Sequence, residues 1–365
     1  MYANLRNFQV RVMAKMDLSM LRSKFRGSML GALVGDCTGS PYDNGDKLSD
    51  GTKLVLQRSF DKLEGPPFKA PLMQFTDDSA MTYSLAKSLV ERRELDIVDL
   101  AKRFVKSYYQ EPNRGYAIGV LTVFQKLRNN KCTDVLSPAK EQFGGEGSWG
   151  NGGAMRISPV ALFCYQNYDK LVEVAKSVSE ITHTNKLGVD GAILQASAIY
   201  QSLHLDPNEE LNVNNFIDDL IDKMDKIEKD EEGLGLSEPQ PYKVQLNIVK
   251  SLVAEGEGAE PYDEKVVQKL GNSVAALYSV PTAIFCFLRA QKPIRGIQTE
   301  NPFRRAVQYA ISLGGDTDTI GSMTGAIAGA FYGEGKISPN LLQHCEASEE
   351  FRLLGDKLFE LAVAK

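Results

Sequence analysis

The sequence predicts an all-α protein folded as a single domain, and three observations carry that prediction. Apolar residues recur at helical spacing in segment after segment. No long alternating strand interrupts them. Two segments far apart in the chain step glycine at every fourth position, a pattern that only a helix gathers onto one face. With 365 residues, 43% hydrophobic and 24% charged, the chain is long enough to bury a large core.

Composition narrows the function before any motif is read. The net charge of −5 provides no general basic field, so duplex nucleic acid is excluded as a partner, and an anionic ligand must be held by local geometry and metal. Cys37, Cys132, Cys164, Cys286 and Cys345 form no pair with zinc or redox spacing. They read as thiols in a reducing compartment, four of them in apolar or small-residue surroundings. The most apolar run, Ile320 to Phe331, is too short to span a membrane and carries Ser322 and Thr324.

Residues 1–20 carry Arg6, Arg11 and Lys15 with no acid before Asp17. A mitochondrial presequence shares that pattern; the reading adopted is a disordered tail over 1–20, followed by a single domain over 21–365. Leu21 to Ser40 then places Gly27, Gly31, Gly35 and Gly39 near one helix face. Such a helix is poor in intrinsic propensity and makes sense only where another helix approaches closely, a small-residue packing familiar from membranes. Gly321, Gly325, Gly329 and Gly333 repeat the spacing. The two helices are therefore expected to cross at the centre of the fold and to gather Asp36, Asp77, Asp78, Asp316 and Asp318 in one cleft.

Phe75–Thr76–Asp77–Asp78 precedes a helical pattern through Tyr83, Leu85, Ala86, Leu89 and Val90. Two acids in a first turn suit the helix dipole as simple caps; they equally read as half of a magnesium-type oxygen site. Leu95 to Lys131 reads as helices, as do Pro159 to Gln166, Leu171 to Ile181, Gly191 to Leu203, Phe216 to Ile227, Lys243 to Val253 and Val280 to Leu288. Asp206 to Glu238 holds twelve acids against three lysines and reads as a solvated helix and loop rather than a domain linker. In Ser312 to Thr319, Asp316 and Asp318 stand two apart at a glycine-hinged turn with Thr319 next in line, the other half of an oxygen-ligand site.

Between Phe143 and Gly153 lie six glycines and the only tryptophan of the chain, Trp149. A G-x-G-x-x-G match at 145, 147 and 150 lacks the preceding strand that a dinucleotide-binding turn requires. The backbone N–H groups can still cradle a pyrophosphate, helped by a helix start near Ala154, with Trp149 as a stacking surface for a base or ribose. A flexible surface loop is the competing reading.

Taken together, Gly35–Asp36, Thr76–Asp77–Asp78, the run Gly150–Asn151–Gly152–Gly153–Ala154–Met155–Arg156, Thr182–His183 and Gly314–Gly315–Asp316–Thr317–Asp318–Thr319 resemble the ADP-ribosylglycohydrolase family. The motifs span nearly the whole chain from Leu21 onward. Longer runs, Arg114–Gly115–Tyr116, Gly191 to Gln195 and Ser279 to Ala283, bring it nearest to members that remove ADP-ribose from serine and cleave poly(ADP-ribose). The resemblance implies an all-α fold, a single compact orthogonal helical domain of that type, with two Mg²⁺ ions, replaceable by Mn²⁺, at the base of an ADP-ribose cleft. Thr76, Asp77, Asp78, Asp316, Asp318 and Thr319 would be the metal ligands, and Asp36 would stand behind them.

On the same resemblance Gly147, Ser148, Trp149, Gly150, Asn151 and Gly152 would hold the diphosphate and ribose. His183 would hold a ribose or phosphate group, a role that a lone histidine would not otherwise suggest, and Phe143 would help to sandwich the adenine. Asp43, Asp77 and Asp78 would be catalytic. The implied activity is hydrolysis of O-glycosidic ADP-ribose linkages, on serine, in poly(ADP-ribose) and in O-acetyl-ADP-ribose. It would reverse ADP-ribosylation in the DNA damage response, by a monomer in cytoplasm and nucleus, with the mitochondrion as a further compartment.

Two departures stand out. Where the family has an aromatic, Tyr and a catalytic Glu on a mobile flap, this chain has Pro41–Tyr42–Asp43, with a shorter carboxylate and a stiffer flap. Trp149 replaces a tyrosine. Three rivals remain: an arginine-specific hydrolase of the same fold, a catalytically weak ADP-ribose binder or crystallin-like protein, and a magnesium phosphohydrolase. The complete acid set argues against the second.

Overall fold

The computed structural model describes residues 17–43, 45, 47–229, 238–256 and 262–364. In chain order the helices are α1 (Leu18–Gly39), α2 (Asp50–Glu64), α3 (Asp77–Arg92), α4 (Ile97–Gln110), α5 (Ile118–Asn129) and α6 (Ser137–Lys140). They continue with α7 (Gly152–Met155), α8 (Ser158–Phe163), α9 (Tyr168–Glu180), α10 (Lys186–His204), α11 (Val213–Lys229) and α12 (Pro241–Glu255). The last are α13 (Tyr262–Leu270), α14 (Val280–Arg289), α15 (Pro302–Ser312), α16 (Thr317–Tyr332), α17 (Pro339–Leu342) and α18 (Ser348–Val363). Among the described residues the only β pairing is isolated bridges, Met73 with Cys345, Gly150 with Ala275 and Ile294 with Ile297. The protein is all-α.

Asp17 accepts the Ser19 N–H at 3.2 Å and starts α1. Residues 18–20, counted with the tail on sequence, are therefore helical; residues 1–16 lie outside the described residues. From Gly27 to Gly39 every residue of α1 is buried.

The two glycine-stepped helices cross antiparallel at the centre. A Cβ on Gly27 would stand 2.3 Å from Gly329 O, one on Gly31 2.0 Å from Gly325 O, and one on Gly35 2.0 Å from Gly321 O. Backbone thus lies on backbone. Hydroxyls at the same face donate across the gap, Ser28 to Ala326 O at 3.1 Å, Ser322 to Ala32 O at 2.9 Å and Thr317 to Gly39 O at 2.9 Å. Each buried bond of this kind contributes roughly 1 kcal/mol, and side chains larger than these would hold the helices apart.

The remaining helices wrap this pair. The α18 helix packs on α1 and α3, with Arg26 Nε and Nη2 donating to the Asp356 carboxylate at 2.7 and 2.9 Å. Helices α10, α14 and α15 cover α16; Gln195 donates to Met323 O at 3.0 Å and Thr324 to Ala283 O at 3.2 Å. All five cysteines are buried free thiols. No described helix is long and apolar enough to cross a membrane.

The acidic segment is only in part the solvated stretch expected. Phe216, Ile217, Leu220 and Met224 bury one face of α11, and Glu228 is buried too. Its carboxylate accepts Tyr242 N–H at 2.7 Å and Lys243 N–H at 3.1 Å, capping α12 where Pro241 opens the helix. Gly233 and Gly235 lie outside the described residues.

Candidate active site

The antiparallel crossing brings the C-terminal end of α1 to the N-terminal end of α16, and the site is built at that junction. Asp36 is fully buried on α1. It accepts Thr76 N–H at 3.0 Å, Thr76 Oγ1–H at 2.8 Å and Ser79 N–H at 3.1 Å, so its oxygens serve the positive end of α3. Asp36 therefore stands behind the cleft and orients the Thr76–Asp77–Asp78 turn, instead of joining the acids that face the cavity. Thr76 caps α3 by accepting Asp78 N–H at 3.3 Å.

Arg114 locks the other side of the turn. Its carbonyl accepts Asp77 N–H at 2.7 Å, its Nη1 donates to Phe75 O at 2.8 Å, and its guanidinium lies 4.0 Å over the Phe75 ring. Glu346 receives Arg114 through two bonds, 2.7 and 2.9 Å, and Phe75 N–H at 3.2 Å. Arg114 stands out in the sequence only by its family likeness, and Glu346, which acts from 232 positions away, leaves no local pattern there.

At α16 the turn depends on glycine. Gly314 and Gly315 have φ of 71° and 74°, and a Cβ on Gly315 would stand 2.0 Å from Asn272 O. That close approach lets Asn272 O accept Asp316 N–H at 2.9 Å. Asp318 Oδ1 accepts Thr319 N–H at 2.8 Å.

A cavity of about 400 Å³ brings together Asp43, Asp77, Asp78, Asp316, Asp318 and Thr319 with Phe143, Ser148, Trp149, Gly150, Asn151, Gly152 and His183. Two expected members are not in its wall, Thr76, which is turned to Asp36, and Gly147, whose Cβ position faces Thr184. Unforeseen wall residues include Met81, Val120, Gln142, Val274 and Ala275. A larger cleft of about 850 Å³ lies between α2, α13 and α15; there Lys53 Nζ meets Asp263 Oδ2 at 3.0 Å and Lys47 meets Glu264, and Asp50, Arg289 and Arg295 also line it, so it lacks the one-sided acid charge of the smaller cavity.

The acid end is electrostatically unbalanced. Among the described residues no lysine or arginine lines the cavity. Burial first, then mutual repulsion centred on Asp318, pushes Asp77 and Asp78 well above the usual carboxylate range and Asp36 to about 7. Asp318 is likewise raised to about 7 by burial and Asp316, and Asp316 is raised by burial. Asp43, at the rim, is raised to about 6 by desolvation and the Asp318 charge.

These residues fit a bound cation. Asp78 Oδ2 is buried without a hydrogen-bond partner. Asp43, Asp316 and Asp318 each bring one oxygen within 4.8 Å of the others. Such hard, charged oxygens suit Mg²⁺ or Mn²⁺.

The glycine loop follows α6 and a tight turn over Gln142–Gly145, so no strand precedes it. The helix expected from Ala154 is the single turn α7, too short for much of a dipole. Asn151 N–H donates to Val274 O at 2.9 Å, and its Nδ2 donates to Asp316 Oδ2 at 2.6 Å and Ser279 Oγ at 3.1 Å. Asn151 therefore ties the loop to the acid cluster. Phe143 and Trp149 are 53% and 39% exposed, with ring centroids 4.6 Å apart. They touch each other, so in this arrangement no gap for a planar ring lies between them. His183 is buried against the loop; a Cβ on Gly152 would stand 2.4 Å from His183 Cε1.

Comparison with known proteins agrees with this architecture. ADP-ribosylhydrolase ARH3 of Mus musculus is 42% identical over 345 residues, 92% of this chain and 91% of its own length. The Homo sapiens protein of that name is 41% identical over 92% of this chain and 93% of its own. A solved chain described as an ADP-ribosylglycohydrolase-related protein complex superposes with a TM-score of 0.64, covering 94% of this chain and 99% of that one. At 20% identity that likeness speaks for the fold alone. Residues 17–365 match the ADP-ribosylglycohydrolase family throughout, and with the acid turns of α3 and α16 held around one cavity, the chain belongs to that family.

Proposed function

We propose that this enzyme hydrolyses O-glycosidic ADP-ribose linkages, on serine and in poly(ADP-ribose), at the anomeric carbon of the distal ribose. The observation that supports this most is the composition of one cavity: five carboxylates with no basic side chain among the described residues, continuous with a glycine loop and an exposed aromatic pair. Asp77, Asp78, Asp316, Asp318 and Thr319 would hold two divalent cations, Mg²⁺ or Mn²⁺, whose Lewis-acid charge favours an oxocarbenium-like transition state, and Thr76, bonded to Asp36 outside the cavity wall, would keep the Asp77–Asp78 turn in place. Asp43 would handle the proton, since a carboxyl raised to about 6 exchanges readily near neutral pH. The loop from Gly147 to Gly152 would hold the diphosphate, Phe143 and Trp149 the adenine and its ribose, and His183 one acceptor oxygen. Phosphorus would be kept away from the acids by the loop.

A second reading concerns Asp43 alone. Its proximity to Asp316 and Asp318 favours a role as a further cation ligand, with the proton handled elsewhere. For the whole protein we place the activity in cytoplasm and nucleus, and in mitochondria where the chain is imported, acting as a monomer on ADP-ribosylated proteins during the DNA damage response. The deciding experiment is incubation with serine-ADP-ribosylated and arginine-ADP-ribosylated peptides, with and without EDTA, read by mass and by phosphate release. Loss of ADP-ribose from the serine peptide, abolished by EDTA and without phosphate, is the expected result. Preference for the arginine peptide, or release of phosphate, would overturn it.

A further inference from the structure

Arg156 closes the glycine-loop run and is completely buried, yet among the described residues no carboxylate pairs with it. Its Nη1 donates to Gly152 O at 3.1 Å and to Thr182 Oγ1 at 2.7 Å, and its Nη2 to Val178 O at 2.7 Å. Its guanidinium lies 4.9 Å over the Phe104 ring. Burial lowers it to about 9, so it stays cationic at neutral pH.

The next link is Thr182, whose Oγ1 is 2.7 Å from His183 Nδ1. A guanidinium only donates, so the Thr182 hydroxyl must accept from Arg156. Among the described residues its own proton has no acceptor other than Nδ1. A hydroxyl proton pointing at Nδ1 requires a lone pair there, and in neutral imidazole that puts the ring proton on Nε2. Burial, and after it the Arg156 charge, lowers His183 to about 3 and keeps the ring neutral. Nε2 is on the loop side, 2.7 Å from the Cβ position of Gly152 and 3.4 Å from that of Gly150, in a ring that lines the cavity.

We propose that Arg156 and Thr182 are positioning residues that hold His183 as its Nε2–H tautomer, a fixed donor to an acceptor oxygen of the substrate's diphosphate or ribose. His183 then serves recognition and is not available as a base, because the lone pair on its ring faces Thr182. The donor arrangement stands on the side-chain geometry; its ligand rests on the ADP-ribose reading above.

The test uses the full chain with ¹⁵N-labelled histidine. There are three histidines, and His183→Gln identifies the signal. Long-range ¹H–¹⁵N spectra at pH 7 should show a bare Nδ1 and a protonated Nε2 for His183. In Thr182→Val the Nδ1–H form should appear, and the ADP-ribose Kd measured by calorimetry should rise roughly tenfold, as for a lost hydrogen bond to a charged group. Thr182→Ser should restore both. An Nδ1–H or doubly protonated ring in the parent protein overturns the proposal, and that spectrum decides even if Thr182→Val fails to fold. An unchanged tautomer and Kd in folded Thr182→Val overturns it equally. An Nε2–H spectrum in a parent that shows no affinity for ADP-ribose supports the relay and overturns the ADP-ribose reading.

Discussion

Replacing Gly31 by Ala places one methyl group between two backbones. The added Cβ would stand 2.0 Å from Gly325 O and 2.7 Å from Gly325 C. Carbon and oxygen need about 3.3 Å, so the helices must separate by roughly 1.3 Å. Neither contacting atom belongs to a side chain that can turn away. A gap near 1 Å forfeits about a quarter to a half of each dispersion contact along the crossing, which puts the change at or above the upper end of the ~1–3 kcal/mol typical of overpacking. Opposing it is the gain in helix propensity on leaving glycine, about 1 kcal/mol. A net loss of roughly 2–3 kcal/mol lowers Tm by about 3–4 °C in a chain of 365 residues. Gly51→Ala in α2 is the control, since its Cβ would meet nothing nearer than Ser49 Oγ at 3.7 Å; it should leave Tm unchanged or raise it. Differential scanning calorimetry of Gly31→Ala, Gly325→Ala and Gly51→Ala reads the comparison. The first two alter the same contact, so their double variant should lose less than the sum. Equal melting temperatures for Gly31→Ala and Gly51→Ala would refute the close crossing.

That crossing was legible in the sequence because a backbone-to-backbone contact leaves a trace as regular as the helix itself, glycine at every fourth position on both partners. The acid turns were legible for a related reason: adjacent carboxylates at a helix start are costly to bury, and few arrangements other than a cation site justify them. Asp36 was only half legible. Its carboxylate reads like the others, and only the three bonds from Thr76 and Ser79 show that it orients the turn from behind. Glu346 and Asn272 were not legible, because one acts through Arg114 and the other through its backbone carbonyl, and neither contact imposes a local pattern. The direct contact of Phe143 with Trp149 was not legible either: Phe143 sits at φ of 53°, a conformation that a phenylalanine does not advertise.

Three further outcomes follow from the acid cluster. Asp77→Asn and Asp316→Asn should each abolish turnover on serine-ADP-ribosylated peptide with far-ultraviolet circular dichroism unchanged; full activity in excess chelator would contradict the cation site. In chelator, Tm should fall as pH rises from 5 to 8, because the raised carboxyls of Asp36, Asp77, Asp78 and Asp318 keep protons in the folded state that the unfolded chain has released. Mg²⁺ should restore Tm most at pH 8, and a Tm in chelator that rises with pH would show the cluster is not strained. Finally, Asp43→Ala should lower the single-turnover rate by about 10²–10⁴-fold if its carboxyl handles the proton, with the ADP-ribose Kd within a few-fold of the parent. Asp43→Glu should keep or raise the rate by recovering the reach the family uses. If Asp43 is instead a cation ligand beside Asp316 and Asp318, saturating Mg²⁺ should recover most of the rate lost in Asp43→Ala, whereas a missing proton carrier stays missing at any Mg²⁺ concentration. A parent-like rate for Asp43→Ala at low Mg²⁺ excludes both roles and moves the search to Asp46, which lies outside the described residues.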